Sequence, residues 1–311
     1  MLSRRTLTFD SPALAGEEWP CYDATGSADG PRLCILAGVH GCEYSGISAV
    51  GRFMRSLDTS VLSGSIVAVP IVSPAMFAGR AAFVSPADGK NPNRCFPGDP
   101  DGTYSEQLAH HVFTELIAPS DALVDVHGGD LVEALEPFTL FDESPVADRA
   151  REMAVGYGIQ YVVNPEPSGT AIGGTTSDAA AAAGIPAITP EAGGCGLLEE
   201  EAIEAHVLGL TNVLHVLGMA PGDPEPPRRP QRLVRRFIWM RAEKGGWWQP
   251  DVRPGESVAA GARLGVVCDP YGEELEVICA PEAGVPLFIT SSPAVADDGL
   301  LLGLGAGISE L

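Results

Sequence analysis

The chain has 311 residues, 45% of them hydrophobic, and a formal net charge of −22. That is enough apolar material for one large domain, or for a core domain plus a small one. The acid excess argues against nucleic acid and anionic membrane surfaces, which need a basic face, and fits solubility or salt tolerance without identifying a substrate.

The start, "MLSRRTLTFD", has no apolar stretch after its arginines, and no run of about 18 apolar residues follows anywhere, so neither a signal peptide nor a membrane span is expected. "RLCILAGV" is a buried strand, and the helical spacing of apolar residues predicts a helix over 44–57. "SIVAVPIV" (65–72) is a second strand. Residues 73–103, rich in Pro, Gly, Asp and Asn, form a long loop of the kind that carries function. An amphipathic helix over 104–117, with Ser105 as its N-cap, leads to the strand "ALVDVHGG" (122–129).

Strands at 138–141 and 159–164 flank a helix at about 145–157. A short helix (176–184), the strand "IPAITPEAGG" (185–194) and a long helix (199–217) complete an alternation that implies a layered α/β sheet. "APGDPEPPRRP" (220–230) is a stiff linker, and the short strands and turns of 231–311 are read as a small all-β domain. The chain's seven cysteines include no Cys-x-x-Cys, which fits free thiols in a reducing cytoplasm.

Three strand ends carry unusual residues. The first is followed by "GVHGCEYSG", with His40 and Glu43; the third gives His127 in "DVHGG"; the last gives Glu191 in "TPEAGG". In a parallel sheet these ends share one edge, around one crevice. Alone, His-x-x-Glu fits an ordinary loop equally well. With His127 it becomes two His and one carboxylate, the ligand set of a catalytic zinc with an open fourth position. Such an ion makes hydroxide available near neutral pH, and a further carboxylate, here Glu191, must take the proton and pass it to a leaving amine. In "NPNRCFPG" the Arg94 fork can bind a substrate carboxylate, with Asn93 donating a further hydrogen bond.

The order His-x-x-Glu, Asn-x-Asn-Arg-x-Phe-Pro-Gly, Asp-x-His-Gly and Pro-Glu-Ala-Gly-Gly resembles the succinylglutamate desuccinylase/aspartoacylase family, over roughly residues 30–218. The resemblance implies a zinc carboxypeptidase-like layered α/β sheet domain (1–219), the linker, and a small all-β domain (231–311) like the family's C-terminal extension. It implies one zinc per chain on His40, Glu43 and His127, Glu191 as general base and then acid, and Asn93 and Arg94 on a carboxylate. The family also polarises the scissile carbonyl with an Arg. Arg80 is the candidate here, although the common family pattern places that Arg where Ala82 stands. A second departure is Asn91–Pro92, where many members have Asp-Leu.

Between Arg151 and Arg228 there is no Lys or Arg. In the aspartoacylase and succinylglutamate branches the loop before the base supplies an Arg for a second carboxylate. Here "NPEPSGTAIGGTTSD" offers only Glu166 and Asp178 as charges. The expected substrate is therefore an N-acyl amino acid with one carboxylate and a neutral or cationic remainder, such as an N-acetyl diamino acid, unless Arg241 or Arg253 reaches in. Cys42 and Cys95 are soft donors near the ligands, but small buried hydrophobes are the commoner case. No Gly-x-Ser-x-Gly elbow is present, and the terminal "GLGAGIS" opens no helix, which weighs against serine-hydrolase and nucleotide chemistry. The alternatives are a metallocarboxypeptidase acting on peptides, and a non-catalytic metal-binding interaction or sensor protein. Retention of Glu191 favours an enzyme. A cytoplasmic location, no nucleic-acid or membrane partner and a homo-oligomer as one option complete the expectation.

Overall fold

The computed structural model describes residues 1–164 and 173–311; Glu166 lies outside the described residues. The chain opens with a hairpin, β1 (Leu2–Leu7) and β2 (Trp19–Thr25), followed by β3 (Ala28–Ala37), α1 (Tyr44–Ser56), β4 (Ser63–Val69) and α2 (Pro74–Gly79). Next come α3 (Tyr104–His111), β5 (Ala122–Val126), β6 (Glu133–Leu135), β7 (Phe138–Leu140) and α4 (Ala147–Tyr157). β8 (Tyr161–Val163), α5 (Thr176–Ala182), β9 (Ala187–Glu191) and α6 (Glu200–Val216) end the mixed part. The regular elements beyond are strands: β10 (Arg232–Arg241), β11 (Gly246–Pro250), β12 (Arg263–Cys268), β13 (Glu274–Cys279), β14 (Gly284–Thr290), β15 (Ala294–Val295) and β16 (Leu300–Glu310). No helix among the described residues is long and apolar enough to cross a membrane.

β4, β3, β5 and β9 are neighbours and parallel. Parallel strands are covered on both faces, so they read as continuous apolar runs. The period of two then sorts each side chain. Leu33, Ile35 and Ala37 of β3 meet Phe53 and Met54 of α1, Met153 of α4 and Leu210 of α6 on one face. Cys34 and Leu36 meet Trp19, Leu108 of α3 and Ala180 of α5 on the other. This is the layered α/β arrangement that the alternation of elements implied.

Three local expectations change. The β1–β2 hairpin was not foreseen, because β1 exposes most of its side chains and buries only Leu7. Such an edge strand shows little apolar periodicity. The stretch 73–103 is not wholly irregular: it contains α2 and a 3-10 turn at Pro92–Arg94. The N-cap of α3 is Thr103, in a capping box with Glu106, while the Ser105 hydroxyl donates to Asp88.

The segment read as a small β domain is woven into the main sheet. β10 pairs in parallel with β8, β16 and β14 follow, and β6 pairs back onto β14, giving twelve strands in one sheet. β11, β12, β13 and β15 form a second, four-stranded sheet. Phe138, Tyr161 and Val163 pack with Val234, Val285 and Leu287 across the junction.

Helices α4 and α6 meet at Gly209, where an added Cβ would lie 2.2 Å from the Tyr157 ring. Tyr157 is only 1% exposed and cannot swing away. Alanine gains about 1 kcal/mol over glycine in helix propensity, but overpacking a core costs about 1–3 kcal/mol. Gly209→Ala should therefore lower the midpoint of thermal unfolding. A raised midpoint would mean that the two helices separate at little cost.

Candidate active site

β3 and β5 pair in register, Ala37 opposite Val126, so the residues following each strand emerge side by side. β5 continues into a bridge between His127 and Glu191, in which His127 N–H donates to Pro190 O at 2.9 Å and Ala192 N–H to His127 O at 3.3 Å. The approach is close: a Cβ on Gly128 would stand 2.5 Å from Ala192 O, so only glycine fits there.

The donor atoms of His40, Glu43 and His127 lie within 4.8 Å of one another. Glu43 bridges the two imidazoles, with Oε1 2.8 Å from His40 Nδ1 and Oε2 2.9 Å from His127 Nδ1. The far ring nitrogens are already committed. His127 Nε2 donates to Asp125 Oδ2 at 2.9 Å. His40 Nε2 donates to Asn91 Oδ1 at 3.0 Å, and the Asn93 N–H donating to that same atom identifies it as the amide oxygen. Each neutral imidazole then turns the lone pair of its Nδ1 toward a carboxylate oxygen. Acceptor against acceptor at that distance is repulsive unless a proton or a cation lies between them. The titration directions agree. Burial opposes the charged imidazoles of His127 and His40, yet Asp125 and Glu43 raise the first well above its usual value, and Glu43 raises the second. Burial pushes Glu43 up, but His127 and His40 bring it down to about 2. Two nitrogens and a carboxylate with their outer atoms tied back fit a divalent metal ion.

Glu191, at the end of β9, is paired with Phe138 of β7, bridged to His127, and within electrostatic reach of His127 and Glu43. Burial first, then Glu43, Glu133 and Asp125, hold its carboxyl well above the usual range, with His127 acting the other way. The anchor loop is clamped by the segment before α5. Phe96 N–H donates to Gly174 O at 2.9 Å, and Thr176 N–H to Asn93 Oδ1 at 3.0 Å, which leaves the Asn93 NH2 without a hydrogen bond among the described residues. Arg94 spends one N–H on the Asn93 carbonyl at 2.6 Å, and among the described residues it has no ion-pair partner. The acids acting on it are Asp178 and Glu191.

Arg80 is exposed at the left-handed cap of α2 (φ 50°), with no side-chain hydrogen bond among the described residues. Its charge is felt by the Tyr44 hydroxyl. Arg241 turns to Asp298, and Arg253 lines a separate cleft with Arg229, Arg232 and Glu136. Cys42 and Cys95 donate to the carbonyls of Ala81 and Asn91 and stand outside the ligand group.

Residues 29–217 match the family description "Succinylglutamate desuccinylase/Aspartoacylase catalytic domain". The chain belongs to the succinylglutamate desuccinylase/aspartoacylase family. It is 30% identical, over 249 residues, to an N-alpha-acetyl-L-2,4-diaminobutyric acid deacetylase of Halomonas elongata, a match covering 78% of this chain and 71% of that protein. A succinylglutamate desuccinylase/aspartoacylase structure from Rhodobacter sphaeroides superposes with a TM-score of 0.84 at 25% identity, over 100% of this chain and 95% of the other. The product-bound ectoine utilization protein EutE (DoeB) from Ruegeria pomeroyi shares the fold, with a TM-score of 0.85 at 22% identity over 97% and 93% of the two chains.

Several site residues were not singled out from sequence. Asp125 precedes His127 by two, and in a strand that spacing puts both on one face, so "DVH" held the signal. Thr176, whose hydroxyl donates to Asp125, has no such signature. Nor does His206 of α6. Its Nε2 donates to Ala192 O at 3.3 Å and its Nδ1 accepts from the Tyr157 hydroxyl at 2.9 Å, bracing the backbone beside Glu191.

A side-chain amide, Asn91, backs His40, while a carboxyl, Asp125, backs His127. A carboxylate behind an imidazole raises its basicity as a ligand, and losing such a partner costs about 10–100-fold in metal affinity. Asp125→Asn should weaken zinc binding by that order, and Asn91→Asp should strengthen it. Competition titration with a chromogenic chelator checks both; equal affinities across the three proteins would count against this account.

Burial lowers the His206 pKa to about 4 from an ordinary 6.5. The unfolded chain therefore takes up a proton at this residue that the native one refuses. Its contribution to stability is intact above about pH 6.5 and is lost as pH falls toward 4, at up to about 1.4 kcal/mol per pH unit. Urea unfolding across that range should show a slope that His206→Gln removes.

Proposed function

We propose that the protein is a zinc-dependent deacylase hydrolysing the amide of a small N-acyl amino acid with one carboxylate and a neutral or cationic side chain. The observation that carries this reading is the placement of Glu191, a carboxyl of raised pKa, across the β5–β9 edge from a His–Glu–His group whose facing acceptors need a proton or a cation between them and whose donor atoms lie close enough to share one ion.

His40, Glu43 and His127 would hold the ion, one per chain. When bound, zinc supplies a Lewis acid for the acyl carbonyl and acidifies water beside it. Glu191 takes the proton from the attacking water. Its raised pKa suits it to keep that proton and then deliver it to the departing amine. Arg94 and the Asn93 amide grip the substrate carboxylate, and the clamp from Gly174 and Thr176 holds both in place. Arg80 remains the group proposed to polarise the acyl carbonyl. The products are a short carboxylic acid and a free amino acid.

The Halomonas elongata relative is named for N-acetyl-L-2,4-diaminobutyric acid, which bears one carboxylate and one ammonium. The same chemistry suits this chain, since its described residues bring no second Arg to the three ligands. All seven cysteines are unpaired, so a reducing cytoplasm is the proposed compartment.

The test is amine release from N-acetylated amino acids with cationic, neutral and anionic side chains, with and without a chelator. Release should need metal, should need the free carboxylate, and should favour cationic or neutral members over N-acetylaspartate. Glu191→Gln should abolish turnover and leave zinc content unchanged. If the panel gives no release and peptides are instead trimmed from their C-termini, the carboxypeptidase reading replaces this one.

A further inference from the structure

Five carboxylates cluster at the crevice, and four have evident tasks. Glu43 bridges the imidazoles, Asp125 backs His127, and Glu191 stands as the base. Asp130 accepts the Phe83 N–H at 2.7 Å and the Leu131 N–H at 2.6 Å, tying down the loop after α2. The fifth, Glu133, has none.

Glu133 Oε2 accepts the Asp130 N–H at 3.0 Å, and among the described residues this carboxylate has no other hydrogen bond and no ion pair. The charged groups acting on it are Glu43, His40 and Asp130, without an Arg or Lys. Burial holds its carboxyl up at about 7. Its place is fixed from two sides. Glu133 pairs with Thr290 of β14, and its carbonyl accepts the Cys195 N–H at 2.9 Å, four residues beyond Glu191. Glu191 is within electrostatic reach of Glu133, and Arg94 of Glu191. Glu191 thus lies near a lone cation and near a carboxyl that has no Arg or Lys partner among the described residues.

We infer that Glu133 recognises a positively charged group on the substrate side chain, its free oxygen bonding an ammonium while Arg94 holds the carboxylate. The inference rests on the deacylase reading and names the residue that selects within it. A substrate carrying both charges satisfies Arg94 and Glu133 together and is oriented by them. One with a second carboxylate meets Glu133 as a like charge in a partly buried setting, which is strongly unfavourable.

The experiment compares N-acetyl-L-2,4-diaminobutyrate with N-acetyl-L-norvaline, which has the same chain length with methyl in place of ammonium, on the zinc-loaded protein. Wild type should prefer the diamino substrate at least tenfold in kcat/KM. Glu133→Gln should cut that preference at least tenfold, chiefly through KM, and Glu133→Asp should retain part of it. Free 2,4-diaminobutyrate should also inhibit wild type more tightly than norvaline does, which needs no variant to fold. Equal losses on both substrates in Glu133→Gln, or an unchanged preference, overturn the inference. So does a wild type that hydrolyses both without discrimination, and in that case the deacylase reading still stands. Hydrolysis of neither overturns that reading, and the inference goes with it.

Discussion

Two imidazoles and a carboxylate converge in the protein interior with acceptor atoms facing one another, and most of what surrounds them serves to hold that unfavourable arrangement in place. Left alone, such a group would relax by turning its rings. Here the outer nitrogens are bound to Asp125 and Asn91, and those partners are bound in turn to Thr176 and to the Asn93 backbone. Rotating either ring would break a chain of buried hydrogen bonds, each costly to leave unmade. The parallel sheet makes this possible. The register of β3 with β5, and the bridge from β5 to β9, bring together residues far apart in sequence at one edge, while cores on both faces fix the strands.

The local charge distribution follows from the same constraint. A buried group able to hold a metal ion needs anions, and this one has gathered carboxylates beyond Glu43. Each additional acid raises the others: Glu191 and Glu133 both sit above the usual carboxylate range, with burial the leading cause and neighbouring acids adding to it. A raised carboxyl is an asset for a base that must also act as an acid. For a carboxylate with no proton to transfer it is a cost, and in the proposed mechanism that contrast separates Glu191 from Glu133. On the other side Arg94 stands without an ion-pair partner among the described residues, so the crevice as a whole is polarised.

The central fold and the site's main constituents were legible because they rest on local rules. Apolar runs gave β3, β5 and β9, helical spacing gave α1, the strand ends carried the His and Glu motifs, and the long loop carried the Asn-Arg motif. What escaped was fixed by tertiary contacts. β1 exposes a charged face, so its residues look like an unstructured start until β2 pairs with it. β6 has three residues and exists because β14 pairs with it from more than 150 positions away. Glu133 therefore carries no sequence signature. His206, on a helix with apolar residues around much of its circumference, gave no sign that it reaches across to Ala192. Asp125 was part of a quoted motif, but its task depends on knowing which ring nitrogen it meets.

The C-terminal strands also bear on why the site needs this particular chain. From the sequence they looked like a separate module beyond a Pro-rich linker. In the structure β10 pairs with β8, β14 pairs with β6, and a shared core of Phe138, Tyr161, Val163, Val234, Val285 and Leu287 seals the seam. β6 follows directly from His127 through Gly128, Gly129 and Asp130, so its position sets where the chain leaves the site. Without β14, a three-residue strand has too few ladder hydrogen bonds to stay in place. Glu133 and the turn it closes with the Asp130 N–H would then lose their anchorage. The terminal region is thus a structural support of the candidate site, through backbone pairing to β6 and β8 and through the packing of Val234, Val285 and Leu287.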